Sequence, residues 1–104
     1  MRRNKYNNKI NWCDGIKFSS IKEMKRYGEL KLMEHAGHIS KLKLQPSFEI
    51  VIKGQKICKY IADFTYFNSK QIRIVEDVKG VKTPIYRLKK KLVKALHGIE
   101  IFET

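Results

Sequence analysis

Cysteine is scarce in this sequence, with only Cys13 and Cys58 among its 104 residues. Two isolated cysteines do not make a disulfide framework, so we interpret both as free thiols in a reducing compartment. A zinc site combining these thiols with His35 and His38 is a weaker alternative, because the two histidines are close in sequence and there is no Cys-x-x-Cys pair.

Long apolar runs are absent as well. No stretch approaches the roughly 18 apolar residues that identify a membrane-spanning helix. The opening residues, Met1-Arg-Arg-Asn-Lys-Tyr6, lack the apolar core of a secretory signal. We therefore expect a cytoplasmic protein with no membrane partner.

Acidic residues are few: 10 Asp and Glu stand against 23 Lys and Arg, which gives a formal charge of +13. The positive side chains of so cationic a protein repel one another unless a polyanion is bound. Nucleic acid is therefore the first partner to consider. The length predicts one small domain over 12–104. Residues 1–11 read as a flexible basic arm, in which Arg2 and Arg3 are candidate nucleic-acid contacts.

The first predicted helix runs from about Ser20 to Ala36, with Ser20 as its N-cap and Gly37 as its left-handed end. Apolar residues recur at helical spacing along it. Glu23 lies on the edge of that apolar stripe. Two interpretations stay open: Glu23 only caps the helix, or it supplies a third carboxylate to a site formed by Asp63 and Asp77.

The order of the predicted elements indicates an α/β fold, with a central mixed sheet and helices on its faces. Asp14-Gly15 suggests the turn of a small hairpin, and a connector over 38–46 is expected to be extended. Three strands should follow between the two helices, and one strand should close the chain. The predicted strands are 48–52, 57–67, 71–79 and 99–103.

Two aspartates and a lysine fall on the last two strands of this central group. Side chains two residues apart lie on one face of a strand, so Asp77 and Lys79 should point the same way. A short turn can then bring Asp63 beside them. Glu76 should face the other side, although a bulge would exchange its role with that of Asp77. The predicted strand 71–79 is apolar on both faces, which predicts a central strand covered on both sides. We expect its burial to stop at its far end, where Asp77 and Lys79 would be exposed.

The second predicted helix begins at Thr83-Pro84 and ends at Gly98. Between these residues there is no acid, so we interpret its polar side as a phosphate-tracking face and not as an ordinary solvated one. The positive residues of this face are Arg87, Lys89, Lys90, Lys91 and Lys94.

The αβββαβ order and several stretches resemble the PD-(D/E)XK nuclease superfamily, whose core is that of restriction endonucleases, and in particular small phage-encoded endonuclease-like proteins. The likeness covers the chain from about Tyr6 to Glu103. The stretches that carry it are Phe18-Ser-Ser-Ile-Lys-Glu23, Leu44-Gln-Pro46, Tyr60-Ile-Ala-Asp-Phe64 and Glu76-Asp-Val-Lys-Gly80.

The resemblance implies a catalytic site. Asp63 and Asp77 would hold Mg²⁺, for which Mn²⁺ can substitute, and Glu23 would complete the metal site. Lys79 would orient or help deprotonate the attacking water. Ala62 stands where the motif has proline. Near the second helix, the resemblance adds Lys82, Tyr86 and Lys90 as supporting phosphate contacts.

These features predict a Mg²⁺-dependent DNA endonuclease. Cutting both strands needs two active sites, so a twofold homodimer is expected, and such a dimer suits branched DNA such as a Holliday junction in phage DNA metabolism. A nicking subunit of a larger complex is the alternative within the enzyme class. Outside that class, the alternative is a non-catalytic basic nucleic-acid-binding module, in which Asp63 and Asp77 would belong to an ordinary ion-pair network.

Overall fold

The computed structural model describes residues 11–78 and 82–104, and it is a mixed α and β fold. A small hairpin precedes the first helix, five strands lie between the helices, and one strand follows the second helix. In chain order the elements are β1 (Asn11–Cys13), β2 (Ile16–Phe18), α1 (Ile21–His35), β3 (Ser40–Leu44), β4 (Ser47–Ile52), β5 (Gln55–Ile61), β6 (Phe64–Phe67), β7 (Arg73–Asp77), α2 (Pro84–His97) and β8 (Ile101–Glu103).

Both helices begin and end where the sequence predicts. The Ser20 hydroxyl accepts a hydrogen bond from the Glu23 backbone N–H, and the Thr83 hydroxyl accepts one from Tyr86 in the same way. Gly98 ends α2 at a φ of 68°, a left-handed conformation that glycine adopts without a steric penalty. Within the described residues, neither helix is long and apolar enough to cross a membrane.

A four-stranded mixed sheet forms the centre of the fold, with the strand order β3-β6-β7-β8. The β3–β6 and β6–β7 pairs are antiparallel, whereas β7 and β8 run parallel and are joined through α2. The two helices and this sheet follow one another along the chain as α1, β3, β6, β7, α2 and β8. The hairpin β4–β5 is inserted between β3 and β6.

The sequence interpretation missed one of these strands and merged two others. The connector over 38–46 is extended as expected, but it contains β3, which pairs with β6. The single strand predicted over 57–67 is divided near Asp63, because β5 pairs with β4 whereas β6 pairs with β7. At the change of partner, the Ala62 N–H donates to the Pro46 carbonyl and the Asp63 N–H donates to the Glu76 carbonyl. A periodic run of residues does not reveal which neighbour each half will pair with.

The central strand β7 supplies residues to two hydrophobic cores, one on each face of the sheet. Val75 packs with Tyr86 and Val93 of α2, together with residues of the β4–β5 hairpin. Ile74 and Val78 pack in the other core, which contains buried residues of α1. This confirms the prediction of a central strand covered on both sides.

The predicted small hairpin is also present, since β1 pairs with β2 around Asp14 and Gly15, both at positive φ. Of the predicted basic arm, Asn11 is the first residue of β1. Residues 1–10, with Arg2 and Arg3, lie outside the described part of the chain.

Candidate functional site

Asp63 and Asp77 lie next to each other at the ends of neighbouring strands. Phe64 is paired with Glu76 in the antiparallel β6–β7 ladder, so Asp63 lies opposite Asp77 one position further along. Asp63 is fixed there by a hydrogen bond from the Val78 backbone N–H to its Oδ2 atom, at 2.7 Å. Residues opposite each other in an antiparallel pair share a face, so this register puts both aspartates on the same face of the sheet.

Tyr86 of α2 packs against the face of the sheet to which Asp77 belongs. Asp77 shares its sheet face with Val75, two residues earlier, and Val75 packs against Tyr86. Burial raises the pKa of the Tyr86 phenol; its hydrogen bond to Glu103 raises the pKa further, and the negative charges of Asp77 and Asp63 add to the effect. One phenol therefore senses the charge of both carboxylates.

Asp77 does not emerge from the fold, contrary to the sequence expectation. It is only 1% exposed. Burial continues to this position because β8 runs alongside it, with Glu103 as the paired residue, and because α2 covers the same face of the sheet. Lys79, the predicted partner of Asp77, lies outside the described residues, so their relationship stays a prediction.

Glu76 faces the opposite side of the sheet, as predicted, and is held by residues that the sequence interpretation did not connect with it. Its carboxylate accepts hydrogen bonds from the Nε and Nη2 atoms of Arg26 on α1. The Tyr66 hydroxyl donates to Glu76 Oε1 at 2.7 Å, and the Thr104 hydroxyl donates to Oε2 at 3.3 Å. The register of β7 is regular with both neighbouring strands, so no bulge exchanges Glu76 and Asp77. Glu76 therefore has a structural role, and Asp77 is the residue that lies opposite Asp63.

Glu23 is buried near the start of α1. Its Oε1 atom accepts a hydrogen bond from the Ser19 hydroxyl at 2.7 Å. The helix that carries it packs on the face of the sheet opposite to that of Asp77 and Val75. Across the described ranges, no group of three or more His, Cys, Asp or Glu side chains is placed to hold a metal ion. The register therefore places Asp63 opposite Asp77, but the described structure does not bring Glu23 to them to form the predicted group of three carboxylates.

The cationic side of α2 faces β8 across a groove of about 470 Å³. Arg87, Lys90, Lys91 and Lys94 line this groove, and we call it the basic groove. The acids that the helix lacks come from β8 and from the residue just before it. Glu103 forms ion pairs with Lys82 and Lys90, and Glu100 lies 3.5 Å from Lys94. The sequence interpretation did not anticipate these acids because it considered only residues within the helix, and the role of this face in binding phosphate stays a prediction.

Glu103 is the centre of these contacts. It accepts a hydrogen bond from the Tyr86 hydroxyl at 2.6 Å, and this bond, with those from Lys90 and Lys82, lowers the pKa of Glu103 to about 2. Tyr86 itself is buried, so it does not form part of the exposed cationic surface and contacts Glu103 from the interior. Its predicted role in binding phosphate is not visible in this arrangement.

A family model described as "Protein of unknown function (DUF1064)" matches residues 3–99. The chain belongs to the DUF1064 family. The match extends from before the small hairpin to the end of α2 and so includes both aspartates, Glu23 and most of the basic groove of this DUF1064 protein. No curated protein and no solved structure matches the chain.

Proposed function

We propose that this DUF1064 protein is a Mg²⁺-dependent DNA endonuclease with a restriction-endonuclease-like core. The observation that carries the proposal is the juxtaposition of Asp63 and Asp77 on one face of two paired strands. The chain order of the helices and the mixed sheet, α1-β3-β6-β7-α2-β8, supports the same proposal. It is the αβββαβ order with a hairpin inserted after the first strand.

The donor set fits a magnesium ion. Mg²⁺ retains several of its waters and is commonly bound through one or two carboxylates together with phosphate oxygens of the substrate. Asp63 and Asp77 supply two such carboxylates, and their mutual repulsion favours a divalent cation between them. When bound, the ion would polarise a phosphoryl oxygen and lower the pKa of a bound water.

The other proposed roles belong to residues around this pair. Lys79 would orient the attacking water or take its proton. The helix that carries Glu23 packs on the other face of the sheet, so Glu23 is not proposed as a ligand beside this pair. The Val78 N–H holds the Asp63 carboxylate in position, so Asp63 does not have to be ordered when the substrate binds. Glu103 is paired with Asp77 in the β7–β8 ladder, and its carboxylate accepts a hydrogen bond from the Tyr86 hydroxyl.

The proposed substrate is DNA, held through its phosphates. Arg87 and Lys91 line the basic groove beside the lysines that Glu103 and Glu100 engage. A homodimer would place two such sites on opposite strands. The twofold symmetry of that dimer suits a branched junction, as expected of an enzyme of phage DNA metabolism.

Substitution of Asp77 by asparagine tests the proposal. Asp77→Asn keeps the size of the side chain and removes its charge, so cleavage of supercoiled and branched DNA in Mg²⁺ should fall by at least about a hundredfold. Glu49→Gln is the matched control, because Glu49 is an exposed carboxylate paired with Lys56 on the β4–β5 hairpin. Titration calorimetry with Mn²⁺ should show binding to the wild type and the control, and weakened binding to Asp77→Asn.

A second function is favoured by the basic groove, which is formed by α2 and β8 without the aspartates. A non-catalytic module that coats or bridges nucleic acid needs only this surface. If the wild type binds DNA but cleaves neither supercoiled nor branched DNA in Mg²⁺ or Mn²⁺, the binding module replaces the nuclease. A nicking subunit would instead convert supercoiled DNA to open circles without linearising it.

A further inference from the structure

A second groove, of about 530 Å³, lies between β5 and the first turns of α2. We call it the β5–α2 groove. From β5 it is lined by Lys59, Tyr60 and Ile61, and from α2 by Ile85 and Lys89 among others. The Lys89 ammonium group donates to the Lys59 carbonyl at 3.2 Å, which holds the lysine side chain against the strand. This groove is separate from the basic groove, which lies between α2 and β8.

The β5–α2 groove combines apolar and cationic surface. Ile61 is 47% exposed and Ile85 is 67% exposed, so the fold leaves both side chains largely uncovered. Lys59 and Lys89 add two positive charges, and none of the described residues that line the groove is acidic. Exposed apolar surface framed by charge of one sign indicates a ligand with an apolar part and an anionic part.

Tyr60 adds a second and independent observation. Its side chain is 4% exposed, and its buried hydroxyl has no hydrogen-bond partner in the described structure. Buried polar atoms are nearly always paired, because an unpaired one costs free energy. A ligand with hydrogen-bonding atoms, seated in the groove that Tyr60 lines, can supply the missing partner.

The β5–α2 groove also adjoins the aspartate pair. Tyr86 lines the groove, and its ring centroid lies 6.2 Å from that of Tyr60. Ile61, which also lines the groove, is the last residue of β5 and stands two residues before Asp63 in the chain. A ligand in the groove is therefore next to the residues proposed to hold the metal ion.

We propose that the β5–α2 groove binds an unpaired DNA strand beside the aspartate pair, with Ile61 and Ile85 against a base and Lys59 and Lys89 at phosphates. The inference rests on the proposed function for the identity of the ligand as DNA. Bases in a duplex are stacked and present only their edges, so an apolar surface gains a base face only from an unpaired strand. The groove would thus make the enzyme select branched or splayed substrates.

A second copy of the chain is a less suitable occupant. Twofold contact through this groove would bring Lys59 and Lys89 of both copies together, with no acid among the lining residues to offset them. Like charges that meet across an interface oppose association. DNA supplies the complementary charge.

The test measures binding in EDTA by fluorescence anisotropy, with a blunt duplex and with the same duplex bearing an unpaired branch. The double substitution Ile61→Ser/Ile85→Ser should weaken binding of the branched DNA by about tenfold and leave duplex binding within about twofold. The control is Leu32→Ser/Ile72→Ser, which removes two exposed apolar side chains elsewhere (72% and 53% exposed). It should change neither affinity.

An equal loss on both substrates, or no loss on either, overturns the proposal. So does a wild-type dimer that the Ile61→Ser/Ile85→Ser variant converts to a monomer in sedimentation, since the groove is then the self-interface. If that variant does not melt cooperatively, Lys59→Gln/Lys89→Gln takes its place and should weaken branched binding more than duplex binding. The binding assay in EDTA does not depend on catalysis. If the protein binds branched DNA selectively but cleaves no DNA in Mg²⁺, the proposal for the β5–α2 groove stands and only the nuclease proposal fails.

Discussion

The Arg26 guanidinium on α1 binds both carboxylate oxygens of Glu76 on β7, through its Nε and Nη2 atoms. Arg26 also pairs with Glu29 in the next turn of its own helix, at 2.9 Å. The Glu76 side chain is fully buried, whereas that of Glu29 is 63% exposed. One arginine thus makes a buried contact that joins helix to sheet and an exposed contact within the helix.

Loss of the Glu76 carboxylate should destabilise the protein strongly. Glu76→Ala leaves the Arg26 charge and the Tyr66 hydroxyl without their partner in the interior, which should lower the free energy of unfolding by about 3 kcal/mol. Glu29→Ala removes the exposed partner of the same arginine and should cost less than about 1 kcal/mol. Urea unfolding followed by circular dichroism measures both. If both variants lost the same free energy of unfolding, the buried Arg26–Glu76 contact would contribute no more stability than the exposed Arg26–Glu29 contact.

Acid should weaken the fold through Glu103. Its pKa is lowered from 4.5 to about 2 by hydrogen bonds from Tyr86, Lys90 and Lys82. A carboxyl whose folded pKa is lowered contributes stability above its unfolded pKa, and this stability is lost as the pH falls from about 4.5 towards 2. Urea midpoints at pH 6 and pH 3, in EDTA, should therefore differ less in Glu103→Gln than in the wild type. Glu100→Gln, which alters a largely exposed acid of the same segment, should retain the wild-type difference.

Two tyrosine-to-phenylalanine substitutions should have opposite effects. Tyr60→Phe removes a buried hydroxyl that has no partner in the described structure, so it should leave the melting temperature unchanged or raise it. Tyr66→Phe removes a donor to the buried Glu76 carboxylate and should lower the unfolding free energy by about 1–3 kcal/mol. Thermal melts of the two variants against the wild type make the comparison. A clear loss of stability in Tyr60→Phe would show that its hydroxyl is satisfied in solution.

The basic groove should contribute to DNA affinity without regard to sequence. Arg87→Ala/Lys91→Ala should weaken binding to unrelated duplexes about equally, and should flatten the slope of log K against log[salt] by about 0.9 for each phosphate that the variant no longer neutralises. The control Lys25→Ala/Lys31→Ala removes the same charge from α1. An unchanged slope in the Arg87 and Lys91 variant, or an equal change in the control, would place the duplex on another surface.

Local signals in the sequence predicted much of this fold. Ser20 and Thr83 mark the starts of the two helices because an N-cap acts within a few residues of its own position. The apolar residues on both faces of β7 predicted a central strand. The short β6–β7 hairpin sets a register in which Asp63 lies opposite Asp77, and such a register can be expected from two strands joined by a short turn.

Contacts between distant parts of the chain could not be predicted in the same way. Arg26 and Glu76 are separated by 50 residues, and no local pattern marks them as partners. The acids that engage the lysines of α2 come from β8 and the residues just before it, beyond the end of the helix. The division of one predicted strand into β5 and β6 depends on which strands lie beside each half, and that is decided only when the sheet assembles.

Strand β7 belongs to both hydrophobic cores, since Ile74 and the adjoining Val78 pack on one side and Val75 on the other. Neither core can survive the loss of this strand, so the halves built around α1 and α2 are not separable folding units. The protein should therefore melt in one all-or-none transition, without a half-folded species that retains only one helix.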